Sequence, residues 1–319
     1  MRKTKLNKTI KKSIFIFILT LICNNVTLAA PTNEVTVHIL GVAQDAGFPQ
    51  ISCYKPHCMP GWEDKLKRRT ATSIAVVDNK NKKKFVFEAT PHLPEQLYHL
   101  NQVAPDSSYA LSGIFLTHAH IGHYTGLMYF GREAAGSKKI PVYVMPKMKQ
   151  YLRTNGPWSQ LVKLENIVLQ DLKNNTPAPV SSLVSVTPMK VPHRDEYSET
   201  VGYKVKGPNK TLLFIPDIDK WHKWELDIKE QIKSVDYAFL DATFFDSKEL
   251  PNRNMNEVPH PFVVESMALL EGLSAVDKLK VHFIHFNHSN PLLNTQSEQA
   301  KSVLKAGFNI ANESLILSL

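Results

Sequence analysis

Three imidazoles fall within six residues in LTHAHIGHYTGL, at His118, His120 and His123, just after the apolar β-run GIFLT closes at Thr117. His118 and His120 project to one side of an extended segment, since alternate residues do so. His123 follows where the chain turns toward a helix. Neutral imidazoles converging on one point are what a zinc ion binds. The remaining ligands must come from elsewhere, and three candidates share one setting: His193 after VSVTPMKVP, Asp217 after TLLFIP, and His285 closing KVHFI, with His288 as the alternative to His285. Each lies at the carboxyl end of a β-run, where sheet proteins place their ligand sites.

A second cluster sits near the amino end. Cys53 and Cys58, in ISCYKPHC, are the only cysteines besides Cys23. With His57 they offer three corners of a structural zinc site, whereas in an oxidising compartment the pair alone forms a disulfide. The intervening histidine and the stiffening Pro56 and Pro60 favour the metal.

These residues need a scaffold of many short strands. β-rich runs recur as VTVHIL, SIAVV, FVFEA, GIFLTH, PVYVM, LVSVTPMKV, VGYKV, TLLFI, YAFLDA, KVHFIHF and SLILSL. Helical patterns lie between them at residues 91–102, 123–135, 146–154, 222–233, 262–274 and 295–306. Strands cluster as hairpins in places and alternate with helices elsewhere, which suits an α+β sandwich of two packed sheets with helices outside. No repeat or linker interrupts residues 30–319, which read as one domain. Trp158, Trp221 and Trp224 belong to a core more readily than to a pocket.

The first residues, MRKTKLNKTIKK, are basic and are followed by the apolar SIFIFILTLIC and the small-residue site TLAA. This is the layout of a secretory signal peptide spanning residues 1–29, and it implies a periplasmic or secreted mature chain. The apolar core is shorter than the roughly 20 residues a spanning helix needs, so no stable membrane insertion is expected after its removal. The full chain carries +9, and residues 1–29 hold six of its 38 Lys and Arg and none of its 29 acids, leaving 32 − 29 = +3. So small a balance argues against a nucleic-acid partner and leaves a small-molecule substrate.

THAHIGH resembles the HxHxDH signature of the metallo-β-lactamase superfamily, and His193, Asp217 and His285 follow in that superfamily's order. ILGVAQDAGFPQISCYKPHC is similar to the opening of the pyrroloquinoline quinone biosynthesis B family and of phosphonate-pathway cyclic phosphodiesterases. PVYVMPKMKQYL, HRDEYSETVGY, IPDIDKW, YAFLDATFF, VPHPFVVESM and HFNHSNPLL extend the likeness over nearly all of the mature chain. The resemblance implies an αββα sandwich and a zinc-bound hydroxide as nucleophile, since zinc lowers the pKa of bound water to about 7. It implies that His118, His120 and His193 hold one ion, and that Asp217 bridges to a second held by His123 and His285. It also implies proton handling by Asp241, in LDATFF, and His260, in VPHPF, whose plainer roles are a helix cap and a surface histidine.

One departure bears on the second ion. Gly122 stands where the motif has aspartate. A single-metal site, a site completed by water and a carboxylate from another loop are the three outcomes. Asp45, in GVAQDAG, is the candidate replacement, because Gly41 and Gly47 let the backbone approach closely; an Asx-turn is its other reading. Neither GxSxG nor a phosphate-binding glycine loop is present. The expected activity is hydrolysis of a small phosphodiester, ester, lactone or amide with zinc, or with manganese or iron in its place. The alternative is a biosynthetic or carrier role for a pyrroloquinoline-type cofactor, and export weighs against a direct part in that cofactor's assembly.

Overall fold

The computed structural model describes residues 34–250 and 254–319; the expected signal peptide lies outside them. Fourteen strands are present among the described residues. The first six are β1 (Val35–Gly41), β2 (Ser73–Asp78), β3 (Lys83–Phe87), β4 (Ala110–Phe115), β5 (Ile140–Val144) and β6 (Ile167–Asp171). Next come β7 (Ala178–Pro179), β8 (Ser185–Lys190), β9 (Val201–Lys206), β10 (Thr211–Ile215) and β11 (Tyr237–Asp241). β12 (Val281–Ile284), β13 (Asn309–Ile310) and β14 (Ile316–Ser318) complete the set. They form two mixed sheets of seven, ordered β14-β1-β2-β3-β4-β5-β6 and β13-β12-β11-β10-β9-β8-β7.

Period-two alternation decides what each face buries. Val35, Val37, Ile39, Ile74, Val76, Phe85 and Phe87 join Val186, Val205, Leu212 and Phe214 of the second sheet in one core. The intervening Ala75, Val77 and Val86 pack instead with Leu93 and Leu100 of the helix Leu93–Val103. Because both faces of β2 are covered, all six of its residues are buried. Phe87 bridges the sheets, its ring centroid 5.4 Å from Tyr203 and 6.3 Å from Phe214. Tyr203 is fully buried and donates its hydroxyl to the Leu116 carbonyl, fastening the second sheet to the chain that leads into His118.

Most expected helices are found, with two differences. Residues 222–233 give only a 3-10 turn, Trp221–Lys223, and the helix Ile228–Lys233. Residues 123–135 do not form a continuous helix; the chain makes a short α-helix, Ile121–Tyr124, then a 3-10 helix, Thr125–Phe130. Gly126 explains the change: its N–H bonds the Ala89 carbonyl, and a Cβ there would sit 2.1 Å from the Thr90 carbonyl oxygen. The close backbone approach diverts the segment from α-helical continuation. Trp158, Trp221 and Trp224 are all buried, and the latter two indoles donate to Ser266 Oγ and the Lys190 carbonyl. No described helix is long and apolar enough to cross a membrane.

Strand direction assembles the site. β3 and β4 run parallel, as do β10, β11 and β12, so their carboxyl ends share an edge within each sheet. β8 has the direction of β10, because each is antiparallel to β9. Asp241 closes β11, and Glu88, His118, His193, Asp217 and His285 lie just past the other strand ends.

Candidate metal centre

The expected ligands converge. His118, His120 and His193 each bring a donor atom within 4.8 Å of the others, and so do Asp45, His123, Asp217 and His285. Asp217 stands between the two groups. Its Oδ2 lies 3.5 Å from His118 Nε2, 3.0 Å from His123 Nε2 and 3.5 Å from His285 Nε2. Its Oδ1 faces His193 Nε2 at 3.6 Å and His260 Nδ1 at 3.2 Å. Of the two late histidines, His285 stands in the second of these groups, whereas His288 gathers with Cys53, His57 and Cys58.

Several of the inward imidazoles are braced from behind. Thr117 Oγ1 is 2.8 Å from His118 Nδ1, and Thr243 Oγ1 is 2.9 Å from His285 Nδ1. His120 Nε2 donates to Glu196 at 3.2 Å. Glu88, fully buried, holds its carboxylate 3.3 Å from His123 Nδ1 at ion-pair distance. Such partners orient a ligating ring and fix its tautomer. Sequence reasoning missed all four. Glu88 left the clearest trace, an acid closing the apolar strand FVFEA, while the threonines carry no distinguishing pattern.

Electrostatics follow from burial among acids. Burial pushes His118 well below the usual imidazole value and His193 down to about 4, keeping both rings neutral as ligands must be. Burial opposes protonation of His123 as well, but Glu88, Asp217 and Asp45 together hold it well above its usual value, so an ion held by this ring would have to displace its proton. Asp217 stays ionised despite burial, because His285, His193 and His123 surround it.

The donor set fits a cation. His193 Nδ1 and Nε2, His285 Nε2 and Asp217 Oδ1 are buried without a hydrogen-bond partner. Buried polar atoms are ordinarily paired, and several convergent exceptions mark a place built for something other than a hydrogen-bonding neighbour.

Asp241 and His260 meet beside this cluster. His260 Nδ1 is 2.8 Å from Asp241 Oδ2, and both residues are buried, so His260 is not a surface histidine. Asp241 also accepts from the Ile218 and Thr243 amides and from Thr243 Oγ1.

The cysteine loop requires a correction. Cys53 and Cys58 are joined in a disulfide here, in place of the favoured structural zinc site; with His57 and His288 they also bring four donor atoms within 4.8 Å of one another. Both readings need the same close approach of two sulfurs; here the sulfurs bond each other, and His57 is left 3.6 Å from Cys53 Sγ.

A beta-lactamase superfamily domain model matches residues 83–285, the stretch from β3 to the last candidate ligand. The chain belongs to the beta-lactamase superfamily. Within it, the chain is similar to coenzyme PQQ synthesis protein B of Gluconobacter oxydans (strain 621H), 25% identical over 89% of this chain and 99% of the relative. It is 26% identical to the protein of the same name from Klebsiella pneumoniae, over 89% and 98% of the two chains. Among solved structures, Zn(2+)-bound PqqB from Methylobacterium extorquens aligns with a TM-score of 0.74 at 22% identity, covering 89% of this chain and all 100% of that one. A diphosphatase from the PhnP family aligns with a TM-score of 0.61 at 21% identity, covering 89% and 96%. The superfamily's two-sheet sandwich is thus the fold found here.

Proposed function

We propose that this protein is a metal-dependent hydrolase of a small phosphodiester, ester, lactone or amide. The supporting observation is the seating of Asp217 between two groups of donors, with unpartnered buried nitrogens on both sides. His118, His120 and His193 would hold one ion, and His123, His285 and Asp217 a second. Zinc, the ion in the similar Methylobacterium extorquens structure, is our choice, with manganese or iron as alternatives. When bound, it would supply Lewis acidity and a water acidified to a pKa of about 7.

The chain's own residues divide the remaining work. Neutral His118 and His193 keep their donor atoms free at neutral pH. Asp241 takes the Nδ1–H of His260, so His260 presents Nε2 as the atom that passes a proton to a leaving group or takes one from water. The centre reaches solvent through His120, whose side chain is 18% exposed, and Asp45, at 40%, while the side chains of His118, His123, Asp217 and His285 are nearly sealed. Substrate therefore approaches from the side of His120 and Asp45. We place the mature chain in the periplasm or outside the cell, a reading supported by the Cys53–Cys58 disulfide.

The test is turnover of chromogenic phosphodiesters, esters, lactones and amides by zinc-loaded and chelator-treated protein. Activity that returns with zinc and falls at least about 100-fold in His118→Ala, since losing a ligand should exceed the 10–100-fold of losing a partner behind one, supports the proposal. A second reading draws on the similarity to coenzyme PQQ synthesis protein B, which spans 99% of that relative: the site serves pyrroloquinoline-type cofactor chemistry or carriage. Absence of turnover across the panel, with tight binding of such a quinone, would favour it.

A further inference from the structure

The loss of the motif aspartate at position 122 is matched by a gain elsewhere. Gly122 lies within the short helix Ile121–Tyr124, and its backbone is not in the left-handed region that reserves a position for glycine. Glycine in a helix costs about 0.5–1 kcal/mol relative to alanine, so conformation does not account for it here. Space does. A Cβ on Gly122 would lie 2.3 Å from Asp45 Cα, 2.5 Å from Asp45 Oδ1 and 2.7 Å from Asp45 Cβ. No side chain fits at 122 while Asp45 is where it is.

Asp45 uses that space to reach the cluster. Its Oδ1 is 3.1 Å from His123 Nε2 and 3.9 Å from His285 Nε2. The loop is held there by backbone: Gln44 N–H donates to the Phe286 carbonyl at 2.7 Å, and Phe286 N–H to Val42 at 2.8 Å, so Asp45 is tied to the residue following His285. The Asx-turn reading does not account for this geometry, because the Gly47 amide such a turn would use bonds the Gln44 carbonyl instead.

We propose that Asp45 and Gly122 are a matched pair in which the second ion's carboxylate is delivered by the β1–β2 loop, through space left by the missing side chain at 122. The proposal rests on the two-ion reading above. It makes the loop part of the centre: loading the second ion fastens the β1–β2 connection to β12, and displacing the loop withdraws a ligand.

The test is zinc content by elemental mass spectrometry, with stepwise affinities from chelator competition, for the wild type, Asp45→Ala, Asp45→Asn, Gly122→Ala and Asp45→Ala/Gly122→Ala. Asp45→Ala and Asp45→Asn should each weaken the second zinc by at least about 100-fold, beyond the 10–100-fold typical of a partner standing behind a ligand, with the first zinc within about threefold of wild type. Gly122→Ala should weaken the second zinc at least about tenfold by forcing the loop outward, and the double variant should be no weaker than Asp45→Ala alone, the non-additivity expected of contacting residues. Two zincs of unchanged affinity in both Asp45 variants would overturn the proposal, as would additive losses in the double variant. His118→Ala separates the levels: it should weaken the first zinc, and if it leaves both zincs in place, the two-ion reading itself fails.

Discussion

Thr243 offers a sharp test of how the centre is held. Its hydroxyl donates to Asp241 Oδ1 at 2.7 Å and faces His285 Nδ1 at 2.9 Å, in a site with no solvent exposure. Thr243→Val keeps the branched shape and deletes only the hydroxyl. Asp241 retains the Thr243 and Ile218 amides and His260, so the deletion falls mainly on His285, whose Nδ1 loses its partner. Losing a partner behind a ligand weakens metal affinity about 10–100-fold, or about 1.4–2.8 kcal/mol at 1.4 kcal/mol per tenfold. Chelator competition on the zinc-loaded protein should place the loss on the second zinc, and Thr243→Ser should recover most of it. An unchanged second zinc in Thr243→Val, or an equal loss on the first, would refute the reasoning that hydrogen bonding orients His285.

Two further outcomes follow from the same kind of accounting. Tyr203→Phe leaves the buried Leu116 carbonyl without its donor and should cost about 1–3 kcal/mol of stability; a melting temperature unchanged from wild type would show that the inter-sheet bond contributes nothing. Glu249, which accepts from the Phe245 amide and Ser289, is pushed by burial up to about 7 from 4.5. A raised acid contributes stability that is full below about 4.5 and is lost as pH rises through about 7. Glu249→Gln removes that slope, so its melting temperature relative to wild type should climb across this window; a constant offset at all pH values would refute the assignment.

What the sequence disclosed depended on how local each signal is. His118, His120 and His123 are legible because a strand end and a turn place them within six residues. His193, Asp217 and His285 become legible only together, since each follows a β-run and parallel strands bring such ends to one edge. Thr117 and Thr243 had no such signature, because a threonine after a strand is ordinary until its neighbour is known to be a ligand. The 123–135 segment was misread because the contact that diverts it, Gly126 against Ala89 and Thr90, joins residues more than thirty apart. The cysteine loop could not be decided by spacing, because a disulfide and a metal both ask two sulfurs to meet.

Backbone conformation adds an argument that no single contact supplies. Asp45, Glu88 and His285 have φ of 24°, 79° and 71°, in the region that L side chains rarely adopt. Such residues cost about 1–3 kcal/mol each and persist where the surroundings over-determine them. These three come from different segments, and His123 lies close to all of them: Glu88 behind it at 3.3 Å, Asp45 before it at 3.1 Å, and the His285 ring 5.4 Å away between centroids. A histidine cluster that served only to fill the core would pair its own nitrogens and rest on relaxed backbone. Here His285 Nε2 and both nitrogens of His193 are unpaired, and strained backbone carries Asp45 and Glu88 to His123. The cation of the proposed function would account for both features together, where packing alone explains neither the unpaired nitrogens nor the strained backbone around His123.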